Sequence, residues 1–238
     1  MDSRLLQRAP AVTKRHVVLP ARGVLLVSTD VHGNLADILR LEEIFAEEAA
    51  APGRVHFVLG NHDHGHVGGP HTAKFHADEV AALESGLSEA QRGRLRGRFE
   101  RAMLAAAAPC GVLMTHGSPD STLSRLEDLD AVPLELKAMS LAQTRMLRAL
   151  LTSYGQPKEE CRAMLENVSR TSGLDLRVVV HGHDRDELGF FREGGNQVCP
   201  VIFGAARPDK RYVRLDLGAR YDDADALRDG IEILRLHS

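Results

Sequence analysis

The sequence predicts an α/β fold, and three observations predict it. Short continuous apolar runs, of the kind a buried strand shows, alternate with longer stretches whose apolar residues recur at helical spacing. Four of these runs end directly in a polar cluster, as strands do where they line the crevice of an open α/β sheet. With 238 residues the chain can bury one sizeable core, so a single domain spanning 1–238 is expected.

The N-terminal MDSRLLQRAPAVTKRHVV carries charges throughout and lacks the apolar stretch of a secretion signal, and no run approaches 18 apolar residues. A soluble, cytoplasmic protein with no membrane partner is expected. Residues 23–29 (GVLLVST) form the first strand, which ends at Asp30. Asn34 then caps a helix whose Leu35, Ile38, Leu41, Ile44 and Phe45 share a face until Pro52-Gly53 stops the pattern. Residues 54–59 (RVHFVL) read as a second strand, running into VLGNHDHGH at 58–66. A loop rich in Gly, His and Pro (66–77) precedes a charged, alanine-rich stretch, 78–107, that reads as helical. Residues 111–115 (GVLMT) are a strand ending at His116-Gly117, and 134–170 is helical, weakened by Gly155 and Pro157. Residues 176–180 (LRVVV) are a strand ending at His181-Gly182-His183, and three further strands are expected at 198–203, 211–216 and 231–235.

Composition narrows the function classes. Net charge is -3 and the pI is about 6.5, so no basic field is available to hold a nucleic-acid backbone, and no nucleic-acid binding is expected. Cys110, Cys161 and Cys199 are odd in number and widely spaced, which suits reduced thiols rather than disulfides or a thiolate metal site.

The polar strand ends are Asp30-Val31-His32, Asn61-His62-Asp63, His116 and His181-Gly182-His183. Carboxylate, amide and imidazole donors converging on one crevice are the ligand types of a first-row divalent ion. The alternative for each histidine taken singly is a polar loop residue, and that reading also holds for His64, His66, His71 and His76.

The motifs DVHGN (30–34), GNHD (60–63), THGSPD (115–120) and HGHDRDELGFF (181–191), in that order, resemble those of the calcineurin-like metallophosphoesterases. The branch they look most like is the phosphoprotein phosphatases and their bacterial relatives, which include symmetric dinucleoside tetraphosphatases. The resemblance covers roughly residues 23–217, with C-terminal strands continuing to about 236. It implies two sheets packed face to face and flanked by helices. It also implies two divalent ions, one held by Asp30 and His32 and one by Asn61, His116 and His183. Mn²⁺ is the expected metal, with Fe, Zn, Ni and Mg as alternatives. His62 would be the general acid, with Asp63 orienting its ring.

The chain departs from that family in one large respect. The family places a GD-type motif between the first and third motifs, and its aspartate bridges the two ions. Here the acids of that interval, Asp37, Glu42, Glu43, Glu47 and Glu48, fall in the predicted helix, as though one strand–helix unit were lacking. Two dications about 3.5 Å apart repel by roughly 19 kcal/mol at an effective dielectric of about 20, so the second ion should bind more weakly. Asp120, Asp184 and Asp186 are alternative bridges or plain turn acids. Two phosphate-binding arginines of the family are also absent, one replaced by Leu59. Arg207, in FGAARPDKRY, is either a substitute clamp or an exposed turn arginine; His181 is either a neighbour of the site or a buried strand-end residue.

The expected function is metal-dependent hydrolysis of phosphoric esters. Phosphomonoesters come first, either a phosphorylated small molecule or phosphoserine and phosphothreonine on a protein. A dinucleoside polyphosphate or other nucleotide is the alternative. A catalytically impaired homologue that binds metal or a phosphorylated ligand is the reading from a different class.

Overall fold

In a computed structural model of the chain, residues 14–48 and 54–237 are described. They fold as a mixed α/β structure. The strands are β1 (His16–Val18), β2 (Val24–Val27), β3 (Ala105–Ala108), β4 (Val112–Met114), β5 (Val178–Val180), β6 (Phe190–Glu193), β7 (Gln197–Pro200), β8 (Arg211–Asp216) and β9 (Ile233–Arg235). The helices used below are α1 (Leu35–Glu48), α2 (Asn61–His64), α3 (Glu79–Ser85), α4 (Glu89–Glu100), α5 (Leu141–Thr152) and α6 (Lys158–Ser172). Six strands form a sheet in the order β1-β3-β4-β5-β7-β6, with β1/β3, β4/β5 and β5/β7 parallel and the other pairs antiparallel. β2, β8 and β9 form a second, antiparallel sheet.

Period-two alternation assigns the strand residues to distinct cores. Ala105, Ala107, Leu113 and Val179 face a cluster with Leu147, Leu150, Met164 and Leu165 of α5 and α6. Their neighbours Ala106, Ala108, Val112, Met114, Val178 and Val180 meet Val213, Leu215 and Ile233 of the second sheet in another cluster. The opposite face of that second sheet presents Leu26, Tyr212 and Leu234 to Leu41 and Ile44 of α1. Asn34 starts α1 as expected, its Oδ1 accepting from the amides of Ala36 at 3.1 Å and Asp37 at 3.3 Å. The stop expected at Pro52-Gly53 lies outside the described residues.

Three expectations need correction. The stretch 78–107 is not helical throughout: α3 and α4 are separated where Ser88 starts a new helix with a capping box to Gln91, and Ala105–Ala108 is a strand. Alanine favours helix, but four fully buried alanines between β1 and β4 give both adjoining clusters small side chains, and packing overrides propensity. The strand expected at 54–59 is reduced to one isolated parallel bridge, Val58 to Met103, because Arg54 and Val55 are exposed and have no ladder partner. The helix expected over 134–170 divides into α5 and α6, broken across 153–157 where Gly155 and Pro157 weaken the pattern.

The acids between the first two motifs lie in α1, as expected. Asp37 is only 2% exposed and is paired with the Lys210 ammonium, and His237 Nε2 lies 2.8 Å from its other oxygen. Burial would raise the Asp37 pKa, yet the Lys210 and His237 hydrogen bonds hold it below the usual carboxylate range. Asp37 is thus a structural anion rather than a metal bridge. Asp37→Ala strips the Lys210 ammonium and the His237 ring of their shared carboxylate and is expected to cost about 3–5 kcal/mol in chemical denaturation. Because the folded-state pKa is depressed, the wild-type contribution is full above the unfolded carboxylate pKa. It is lost as pH falls through the folded value. An unchanged midpoint in the variant would remove the network from the account of stability.

Candidate functional site

Three non-glycine residues among those described adopt a left-handed backbone: Asp30 at φ 44°, His32 at 46° and His183 at 68°. Each such residue costs of order 1–3 kcal/mol and persists only where its surroundings over-determine it. All three belong to the strand-end clusters. The loop after β2 carries Asp30 and His32, and its Thr29 Oγ1 is tied to the Pro200 carbonyl at the end of β7, 2.6 Å away. Parallel neighbours β4 and β5 deliver His116 and His183 to the same sheet end, where the Gly182 amide donates to the His116 carbonyl at 2.8 Å. The His183 amide donates to Asp30 Oδ2 at 2.6 Å, closing the loop onto the sheet. Gly182 is required at this approach, since an added Cβ would collide with the Asp30 carboxylate.

Asn61 opens the short helix α2, and its Oδ1 lies 3.0 Å from His116 Nε2. The imidazoles then assemble edge to face, with ring centres 5.2 Å apart for His116 and His183 and 5.0 Å for His32 and His62. Thus Asp30, His32, Asn61, His62, His116 and His183, predicted from separate segments, meet in one place. His181 is different: it is fully buried beneath the site, with Nδ1 2.9 Å from the Gly182 carbonyl and Nε2 unpartnered among the described residues. Arg207 sits exposed in a 3-10 turn and does not line the cavity.

The role expected of Asp63 is corrected. Its Oδ2 accepts from the Gly60 amide at 3.0 Å, fixing the turn before Asn61, and burial chiefly raises its pKa. The ring of His62 is held instead by Glu79 at the start of α3, with Nδ1 to Oε2 at 2.6 Å. Thr72 Oγ1 donates to the same Glu79 oxygen at 2.9 Å. Burial would raise the Glu79 pKa, but the Phe75 amide, Thr72 and His62 lower it to about 2. An ionised carboxylate only accepts, so Nδ1 of His62 carries the proton and Nε2 is left for other chemistry.

The remaining charges are set by the same packing. Burial alone would raise the Asp30 pKa, but the nearby His32 and His116 rings and the His183 amide bring it to about 2. Burial lowers the His116 pKa to about 4, and lowers that of His183 too. Asp30 is therefore an anion and the two imidazoles are neutral at pH 7, the forms that ligate metals. Two ligands held at about 2.1 Å from one ion lie about 3.0 Å apart at a right angle and about 3.4 Å apart in a tetrahedron. The Asn61–His116 separation of 3.0 Å meets this, and Asp30 Oδ1 to His32 Nε2, at 3.7 Å, is slightly wide of it. The donors stand as two pairs; among the described residues no three His, Cys, Asp or Glu side chains already enclose an ion. Asp120, Asp184 and Asp186 serve local turns, accepting from the amides of Thr122, Arg185 and Leu188. His64, His66 and His71 pair with the Leu134 carbonyl, Glu84 and Asp78, and His76 is exposed.

A cavity of about 760 Å³ opens over these groups, lined by Asn61, His62 and His183 together with Lys74, Arg148 and Arg185. Glu79 and the three cations were missed in the sequence. Glu79 stands 17 positions from His62 beside the Asp78 cap, where an acid reads as an ordinary first-turn residue. Arg185 lies within HGHDRDELGFF but outside its ligand positions.

Neither a protein-family model nor a curated protein matches the sequence. Among solved structures, a protein serine/threonine phosphatase from Saccharomyces cerevisiae with similarity to human phosphatase PP5 is 14% identical. That match covers 89% of this chain and 81% of the yeast chain, with a TM-score of 0.56. The fold is phosphatase-like. A cold-active protein-tyrosine phosphatase of a psychrophile, Shewanella sp., gives the same TM-score at 15% identity, covering 92% of this chain and 81% of its own. One fold thus carries both a serine/threonine and a tyrosine phosphatase, and function has to be argued from the site.

Proposed function

We propose that the chain is a metal-dependent phosphatase acting on phosphomonoesters, built on a metallophosphoesterase-type pair of packed sheets. The observation that carries the reading is the left-handed backbone at Asp30, His32 and His183, three residues from two distant segments that share one crevice. Strain held in place by mutual hydrogen bonds fits a ligand-binding centre better than a decorative loop. Asp30 and His32 would hold one divalent ion, Mn²⁺ in the first instance, and Asn61, His116 and His183 a second. When bound, such ions supply Lewis-acid polarisation of the phosphoryl group and water that ionises near neutral pH.

The chain's own groups account for the rest. Ionised Asp30 supplies the carboxylate, and His116 and His183 keep their lone pairs because burial keeps them neutral. His62 would act in its doubly protonated form, with Nδ1–H held by Glu79 and the proton on Nε2 passed to the leaving oxygen. Phosphorylated serine or threonine on a protein and small phosphomonoesters both suit an open cavity; dinucleoside polyphosphates are the alternative within the same chemistry. One observation favours a second reading, an impaired homologue that binds without turnover: Asp30 is the one carboxylate in the proposed ligand set.

The test is hydrolysis of p-nitrophenyl phosphate with added Mn²⁺, before and after exhaustive chelation. Turnover that disappears with the metal and returns on its addition is the expected result. Turnover indifferent to chelation would overturn the metal mechanism, and metal binding without turnover would select the impaired homologue.

A further inference from the structure

The rim of the cavity holds an electrostatic arrangement that the protein alone leaves unbalanced. Phe203 stacks against His32 with ring centres 4.1 Å apart and a tilt of 35°. Two cations address the same phenyl ring, Lys74 Nζ at 4.7 Å and Arg185 Cζ at 5.3 Å from its centre. Neither has a carboxylate within ion-pair distance among the described residues. Asp184, the adjacent acid, accepts from the Arg185 backbone amide at 2.7 Å. Burial chiefly, and then Arg185, lowers the Lys74 pKa against the smaller opposing pull of Asp30 and Glu79. The Arg185 stem rests over Gly204, where an added Cβ would lie 3.3 Å from its Cγ.

Two unpaired cations converging beside a candidate metal ligand call for an anion between them. Phe203 can offset part of their charge by cation–π attraction, roughly 0.5–1 kcal/mol each at exposed sites, which is small beside the charge-assisted hydrogen bonds an oxyanion offers. Both cations line the cavity that also contains Asn61, His62 and His183, so the anion they hold would sit at the reacting centre. We propose that Lys74 and Arg185, gathered on the Phe203 ring, form the phosphoryl-binding clamp of this site, selecting a dianionic phosphomonoester. The two residues replace the two family arginines that the sequence lacks, and they come from segments where neither was expected. Guanidinium and ammonium then divide the work: Arg185 presents a planar fork to two phosphoryl oxygens and Lys74 a point charge.

This inference rests on the phosphatase reading, so its test separates the two. Inorganic phosphate is the probe, measured by calorimetry with Mn²⁺ present and as a competitive inhibitor of p-nitrophenyl phosphate hydrolysis. Lys74→Gln and Arg185→Gln are each expected to weaken phosphate binding by roughly 10- to 100-fold and to raise KM correspondingly. Arg185→Lys should recover part of the loss. Arg207→Gln, exposed and outside the cavity, should change neither quantity. Phosphate bound by the native chain and lost in both variants, with no turnover by any, would sustain the clamp and sink the hydrolase. Turnover with unchanged KM and phosphate affinity in both variants, or a native chain that binds no phosphate, would overturn the clamp.

Discussion

His62→Asn is expected to lower turnover by roughly 10² to 10⁴ on phenyl phosphate, whose leaving oxygen needs a proton, and far less on 2,4-dinitrophenyl phosphate, whose leaving group departs as the anion. The expectation comes from the pair His62–Glu79: a carboxylate held near a pKa of 2 fixes the imidazole tautomer through a 2.6 Å bond and directs Nε2 outward. Glu79→Gln should reproduce the same leaving-group pattern at smaller amplitude, because a neutral amide at Nδ1 stabilises the doubly protonated ring less than the carboxylate does. The double variant should be little worse than His62→Asn alone, since Glu79 acts through the ring it orients. Additive losses would make Glu79 a structural residue. Equal losses on both substrates, or loss of metal from His62→Asn, would make His62 a ligand instead of an acid. Asp63→Asn should behave differently again, perturbing the Gly60 turn and with it Asn61, without a leaving-group signature.

Legibility in the sequence depends on how each signal arises. The continuous apolar run VVV at 178–180 reports burial on both faces, and burial on both faces is what places β5 centrally in its sheet. Ligands at strand ends were equally readable, because a parallel pair such as β4 and β5 necessarily delivers the residues after each strand to one edge. β3 was not readable, since AAAA favours helix when taken alone and becomes a strand only between β1 and β4. β1 and β6 were missed for a related reason: HVV is three residues in a charged context, and FFRE continues a motif that reads as loop. The partner of His62 was misassigned to Asp63 because adjacency in sequence suggested contact in space. In the short helix α2 the Asp63 side chain turns back to cap Gly60, leaving the ring of its neighbour to an acid from α3. The cations of the cavity rim are long-range products of the fold, from the 68–78 loop, α5 and the loop after β5, and no local pattern marks them.

Metal stoichiometry is the second large effect, and charge sets it. The proposed ligands Asp30, His32, Asn61, His116 and His183 contribute one negative charge in total. One dication at Asp30 and His32 leaves a local excess of one positive charge. A second leaves three, beside Lys74 and Arg185 on the same cavity. At an effective dielectric of about 20, two dications roughly 4 Å apart repel by about 17 kcal/mol, and a single carboxylate offsets only part of that. Titration with Mn²⁺ by calorimetry, backed by elemental analysis, is therefore expected to give close to one tightly held ion per chain. A phosphate dianion in the cavity changes the balance, so the same titration in saturating inorganic phosphate should reveal a second ion, and phosphate should in turn bind more tightly at high Mn²⁺, as linkage requires. Asp30→Asn keeps an oxygen able to accept from the His183 amide while removing the charge, and should abolish both the tight site and all hydrolysis. Two tight ions without phosphate would mean that another group bridges them. Retained hydrolysis in Asp30→Asn would remove this carboxylate from the centre altogether.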